Sequence, residues 1–86
     1  MNREEGFEAI RKMAETGLFV REEVVRAETK VGILRLATDV LGLRSPLQSV
    51  LDHATSADEL VRKLRSYVRE EAEIDRRRQN TETDPH

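Results

Sequence analysis

The feature that most constrains this chain is a row of mostly apolar side chains between positions 24 and 41. Its members are separated alternately by three and four positions: Val24, Ala27, Val31, Leu34, Thr38 and Leu41. This alternation places side chains along one line of an α-helix, as in the heptad repeats of helices that pair. The row therefore predicts a helix that begins at about Leu18 or Arg21, ends near Leu41 and packs along this line.

A second apolar set lies beside this line on the same helix. It consists of Val25, Ile33, Leu36, Ala37 and Val40. A helix that is apolar around much of its circumference needs packing partners on two sides. The 86 residues build only one small core, and the absence of cysteine removes disulfides as a source of stability. We therefore expect one partner within the chain and the second in another copy of it, as a homodimer.

Helix-start signals predict one further helix before this segment and one after it. Asn2 and Glu5 have the spacing of a helix N-cap and its third residue, and Gly17 is typical of a helix end. Ser56 and Glu59 form a capping box before the last predicted helix. That helix carries its own heptad row: Ala57, Val61, Leu64, Val68 and Ala72.

The apolar pattern stops after Ile74, and the residues from Asp75 to His86 are polar apart from one proline. Polar, highly charged segments cannot bury enough apolar surface to become ordered. We therefore predict a single helical domain over residues 1–78 and a polar, disordered tail over residues 79–86.

The segment between the two long predicted helices permits two structures. In the first, Gly42 ends the helix and Ser45 caps a new one. Pro46 then occupies the first position of the new helix, and Gln48 closes a capping box. In the second, one helix continues to about Ala54 and Pro46 only kinks it. Since glycine, serine and proline all favour a helix end, we predict the break.

The same region carries a short motif: Leu36-Ala37, then Leu43-Arg44-Ser45-Pro46-Leu47, then Val50-Leu51. The motif resembles the H-box of sensor histidine kinases, which lies in a helical hairpin that dimerises and carries the phosphoacceptor histidine. Leu41 stands where that family has the histidine, and Gly42 replaces the acidic residue that follows it. The resemblance implies a dimerisation hairpin that cannot accept phosphate, with one kinked helix running through Pro46.

Residues for catalysis or metal binding do not form a recognisable set in the sequence. His53 is the only internal histidine, and its neighbour Asp52 points in another direction on a helix. No paired acid and base, activated nucleophile or metal-ligand spacing is present. We therefore predict no catalytic residue, cofactor or metal, interpret His53 as a surface or helix-end residue, and expect a protein that is not an enzyme.

Charge and hydropathy narrow the classes of partner. The formal net charge is −2, and the run Arg76-Arg77-Arg78 follows four acidic residues that cancel most of its field: Glu70, Glu71, Glu73 and Asp75. We therefore consider nucleic acid an unlikely partner. No apolar run suits a membrane span or a signal peptide, so we expect no membrane association and a cytoplasmic location.

Together these patterns predict an all-α fold in which a short N-terminal helix precedes a helical hairpin, paired into a dimeric bundle. The expected function is a small regulatory or adaptor protein, or an accessory subunit, that binds itself and a further protein partner. The alternatives are a degenerate phosphorelay-type dimerisation domain and a nucleic-acid-associated transcriptional regulator. The candidate interface residues are Val24, Ala27, Val31, Leu34, Thr38, Leu41, Val61, Leu64 and Val68.

Overall fold

The computed structural model of the protein describes the backbone of residues 1–83 and the side chains of residues 1–78. This part of the chain folds into four helices and contains no strand. The helices are α1 (Arg3–Gly17), α2 (Glu23–Asp39), α3 (Gln48–His53) and α4 (Ala57–Thr83). The predicted all-α class is confirmed.

Helix α1 is the central element of the fold. It begins as predicted, because the Asn2 side chain accepts a hydrogen bond from the backbone N–H of Glu5 at 2.8 Å. Both α2 and α4 pack against α1, whereas the backbones of α2 and α4 do not come into contact with each other. The predicted direct hairpin of the two later helices is therefore wrong. The reason is that the apolar side of α1, with Phe7 and Ile10 buried, is covered by both of them.

The core is one cluster to which every helix and the connection after α2 contribute. The buried apolar residues are Phe7, Ile10, Ala14, Leu18, Ile33, Ala37, Leu41, Leu43, Leu47, Leu51, Ala57, Leu60 and Leu64. On α2 the buried positions are Ile33 and Ala37, which belong to the second apolar set and not to the heptad row. The side of α2 that packs into the core is therefore the one whose apolar residues are less regularly spaced.

Helix α2 ends before Gly42, so the predicted break is confirmed. Gly42 has φ +70°, a left-handed conformation that suits glycine. The N–H of Leu43 reaches back across this turn and donates to the carbonyl of Ala37 at 3.0 Å. The chain then runs without helix until Gln48.

The predicted cap of the next helix is wrong. Helix α3 begins at Gln48, and Leu47 occupies the N-cap position without a side-chain capping bond. Ser45 and Pro46 lie in the preceding connection, where the Ser45 hydroxyl donates to Glu71 of α4. Because the Ser45 hydroxyl bonds to Glu71, it does not cap α3.

Helix α4 is longer than predicted. It begins as expected, with the Ser56 hydroxyl oxygen accepting from the N–H of Glu59 at 3.0 Å. It then continues to Thr83, so residues 79–83 of the predicted disordered tail are helical, and residues 84–86 lie outside the described residues. At 1.5 Å per residue its 27 residues extend about 40 Å. Its side chains from Ala72 to Arg78 are exposed.

This long helix makes the molecule elongated, with dimensions of 56 × 24 × 18 Å. Its accessible surface of 6292 Å² compares with about 5,200 Å² for a compact monomer of the same 9.9 kDa mass. The single chain therefore exposes roughly 1,000 Å² more than its size requires.

Candidate protein interaction surface

The side of α2 that faces away from the core carries a line of mostly apolar side chains, which we call the outer stripe. It consists of Val24, Ala27, Val31, Leu34 and Thr38. Val24 is 69% exposed and Val31 is 55% exposed, whereas Ile33 on the opposite side is fully buried. Ala27 and Thr38 are also exposed, and Leu34 is half-buried at the edge of the core. Five of the nine predicted interface residues thus form one continuous line.

The rotation of α2 that turns the outer stripe toward solvent is set by close contact with α1. Gly17 at the end of α1 faces Thr29, and a Cβ on Gly17 would lie 3.1 Å from the Thr29 Cβ and overlap its hydroxyl. Gly32 of α2 in turn faces the methyl group of Met13. Because the Thr29 side chain leaves no room for a Cβ on Gly17, α1 and α2 approach closely on this side of α2, and the opposite side remains uncovered.

The two flanks of the outer stripe differ. On one flank Glu28 and Arg35 are exposed. On the other, the ammonium of Lys30 bonds to the Asp52 carboxylate of α3 at 2.8 Å. This hydrogen bond lowers the pKa of Asp52 below its ordinary value. The flank with Lys30 therefore takes part in an ion pair within the chain. The other flank exposes Glu28 and Arg35, two opposite charges seven positions apart.

A shallow groove of about 430 Å³ runs along the flank of Lys30. Its lining combines residues of the outer stripe with charged residues and one side chain from α3: Glu23, Arg26, Ala27, Lys30, Val31, Leu34 and Gln48. Protein interfaces likewise combine an apolar centre with polar and charged residues at the rim.

The remaining predicted interface residues belong to the chain's own core. Leu41 is 2% exposed and Leu64 is fully buried, so their assignment to a surface for a partner is corrected. Val61 and Val68 are half-buried and pack against the same core. The heptad row of α4 is therefore directed mainly at the core, where α4 packs against α1 and α3.

The H-box-like residues occupy the connection between α2 and α3, not a continuous helix. Leu43 and Leu47 are buried at 2% and 4% exposure, whereas Arg44, Ser45 and Pro46 are exposed. The kinked helix that the resemblance implies is thus absent from this segment. Residues 43–47 form a loop whose two leucines anchor it in the core.

The carboxylate of Glu71 holds this loop against α4. It accepts hydrogen bonds from the N–H groups of Arg44 and Ser45 at 3.2 and 3.1 Å, and from the Ser45 hydroxyl at 2.7 Å. Burial alone raises the pKa of Glu71, but these three hydrogen bonds outweigh burial and place the pKa below its ordinary value. Local sequence patterns do not reveal this role, since the partners are 26 and 27 positions away.

A second contact that local sequence patterns do not reveal joins α4 to α1. Arg65 makes a bidentate ion pair with Glu4, with both N–O distances at 2.9 Å. Its guanidinium also lies 4.3 Å from the centre of the Phe7 ring. The hydrogen bond lowers the pKa of Glu4 and raises that of Arg65. Because the two charges are 61 positions apart, only the fold brings them together.

His53 lies exposed at the last position of α3, in agreement with its prediction as a surface or helix-end residue. Its Nδ1 is 2.8 Å from the Ser49 carbonyl oxygen, one turn earlier, so the ring helps to close the helix end. An open groove of about 320 Å³ between α3 and α4 passes this ring. Among the described residues, no group of three or more His, Asp or Glu side chains is placed to hold a metal ion.

The basic run Arg76-Arg77-Arg78 lies on the exposed, projecting part of α4. No helical segment among the described residues combines the length and apolar character that crossing a membrane requires.

Comparison with known proteins yields no significant match to any family model, curated sequence or solved structure.

Proposed function

We propose that this protein is a non-enzymatic helical interaction module that pairs with a second copy of itself through the outer stripe of α2. The observation that carries the proposal is the exposure of Val24 and Val31 at heptad spacing, with Ala27 between them. Apolar side chains in one continuous line lose contact with water together when a second helix covers them. Single exposed apolar residues are ordinary, but a line at this spacing indicates a partner helix.

Helix α4 provides a second accessible surface, because its side chains from Ala72 to Arg78 are exposed and this part of the helix projects from the globule. A dimer through α2 would leave both copies of this helix accessible. In this proposal the projecting helices bind a further protein, as a regulatory or adaptor subunit requires.

The test is the mass of the protein in solution. Sedimentation equilibrium at micromolar concentration should give twice the chain mass of 9.9 kDa. Val31→Glu should give the monomer mass with an unchanged far-ultraviolet circular dichroism spectrum, because a charge in the stripe is costly to bury.

Ile74→Glu is the matched control. Ile74 is 50% exposed on α4, close to the 55% of Val31, but lies outside the outer stripe. This variant should remain dimeric. A wild-type protein that sediments as a monomer and unfolds cooperatively on heating would overturn the proposal.

A binding assay separates this function from nucleic-acid recognition. The chain should bind random duplex DNA at about physiological salt more weakly than the usual non-specific range of roughly 10⁻⁴ to 10⁻⁶ M. Tighter, salt-dependent binding that disappears when Arg76, Arg77 and Arg78 are changed to Ala would replace the proposal with a nucleic-acid function.

A further inference from the structure

We infer that the second copy lies antiparallel on the outer stripe, with Glu28 of each copy opposite Arg35 of the other. This inference rests on the proposed pairing through α2 and adds its direction and register. It comes from the charges beside the stripe, since the apolar line alone would allow either direction.

In heptad terms Val24 and Val31 are at position a, and Ala27 and Leu34 are at position d. Glu28 and Arg35 then occupy position e on the open flank, and Glu23 and Lys30 occupy position g on the flank next to α3. The charges at e and g set the partner and the orientation of paired helices.

A parallel arrangement brings like charges together. Parallel helices place a residue at g beside the residue five positions later on the partner, at e. Glu23 would then lie beside Glu28 of the second copy on both sides of the dimer. This repulsion disfavours the parallel direction, and Arg35 would lie beside Lys30, which is already paired with Asp52 and offers it no attraction.

An antiparallel arrangement places e beside e and g beside g. With Val31 opposite Leu34 of the second copy, Glu28 falls opposite Arg35, and the two-fold symmetry forms this ion pair twice. Lys30 needs no partner across the interface because it is already bonded to Asp52 in its own chain. Shifting the partner by one heptad would instead bring the two copies of Glu28 together, so the charges also select the register.

Cysteine cross-linking measures the direction directly, because the natural chain contains no cysteine. The inferred register places Ala27 opposite Thr38 of the second copy. The two copies of Ala27 are then about 16 Å apart along the axis, as are the two copies of Thr38, at 1.5 Å per residue. A disulfide requires Cα atoms within about 7 Å, so only one pairing can form.

The experiment mixes Ala27→Cys chains with Thr38→Cys chains that carry an affinity tag, and oxidises them mildly. We expect a mixed disulfide in the equilibrated sample and little product from either variant alone. Disulfides within each variant and none between them would show a parallel dimer and overturn the inference, while the proposed function would stand. Sedimentation as a monomer would instead reject the proposed function.

Charge reversal supplies an independent readout with opposite signs for the two directions. Glu28→Arg or Arg35→Glu alone should weaken the antiparallel dimer by about three- to tenfold, and the double variant should restore its affinity. In a parallel dimer Glu28→Arg would instead tighten binding, because it creates an attractive pair with Glu23 of the second copy. Tightening by this single variant would therefore overturn the inference.

Discussion

The inward and outward sides of α2 are both apolar, yet only one of them takes part in folding the chain. Ile33 and Ala37 on the inward side are completely buried against α1 and the rest of the core. Val24 and Val31 on the outward side are among the most exposed apolar residues of the described chain. Residues of the same kind, on one helix, therefore contribute to stability in different ways.

Helix α1 differs from α2 in having only one apolar side. Its apolar residues Phe7, Ile10 and Ala14 form one buried face, and its exposed positions are largely charged. The single chain buries Phe7, Ile10 and Ala14 of α1 but leaves Val24 and Val31 of α2 exposed. The comparison teaches that one small core can be complete while one of its helices still has a free apolar side.

The largest expected effect is on the inward side. Ile33→Ala should lower the free energy of unfolding by about 3 kcal/mol, because it removes a fully buried side chain and leaves a cavity. Urea denaturation followed by circular dichroism measures the change. Equal losses for Ile33→Ala and Val31→Ala in dilute solution would contradict the division of α2 into a folding side and a free side.

A smaller effect is expected where α1 and α2 come closest. Gly17→Ala should lower the free energy of unfolding by about 2 kcal/mol, because the new Cβ overlaps the Thr29 side chain. Combining it with Thr29→Ala should recover part of the loss, since the overlapping hydroxyl is removed. A gain in stability from Gly17→Ala alone would mean that α1 and α2 can separate freely, and that the rotation of α2 is not set by this contact.

The hydrogen bonds between Glu71 and the loop after α2 are expected to contribute about 1 kcal/mol to the free energy of unfolding. Glu71→Gln should reduce stability by this amount at neutral pH, as it weakens three hydrogen bonds that the carboxylate accepts. The neighbouring Glu70→Gln is the control, because Glu70 lines the groove between α3 and α4 instead. Similar losses from the two variants would show that the loop is held by its buried leucines alone.

The stability that the Glu71 carboxylate contributes should depend on pH, and the direction of its pKa shift defines the sign of this dependence. Because the pKa of Glu71 is lower in the folded chain than in the unfolded one, its contribution is present above the unfolded value of about 4.3. The contribution is lost as pH falls through the lower, folded value. The stability difference between wild type and Glu71→Gln should therefore shrink as pH falls below about 5. A difference that grows with acidification would contradict the lowered pKa.

The smallest expected effect is on the outward side. Val31→Ala should change the stability of the dilute monomer by less than about 0.5 kcal/mol, because the side chain is half-exposed. At higher protein concentration the same variant should unfold more readily than wild type, since binding to a second copy stabilises the folded state. Thermal melts at two concentrations measure both effects, and a concentration-independent difference would argue against pairing through the stripe.

Local patterns in the sequence were sufficient to predict the elements of the fold. The Asn2 and Ser56 caps, the break at Gly42 and the all-α class depend on contacts within a few positions, which periodicity and capping chemistry record. The same patterns misplaced the start of α3 because Ser45 bonds to Glu71 instead of capping a helix. They also ended α4 too early, since an exposed helix of charged residues lacks the apolar period that marks a helix.

What the sequence alone determined about this protein is that α2 has two apolar sides; which of them became the core was decided only by the tertiary structure. Heptad spacing favours the row that starts at Val24, but the contact between Gly17 and Thr29 brings α1 close to the other side of α2. The placement of α1 between α2 and α4 was likewise beyond local patterns. Steric fit between residues far apart in the chain selects one packing among several that have similar apolar periodicity, and no spacing rule contains that fit.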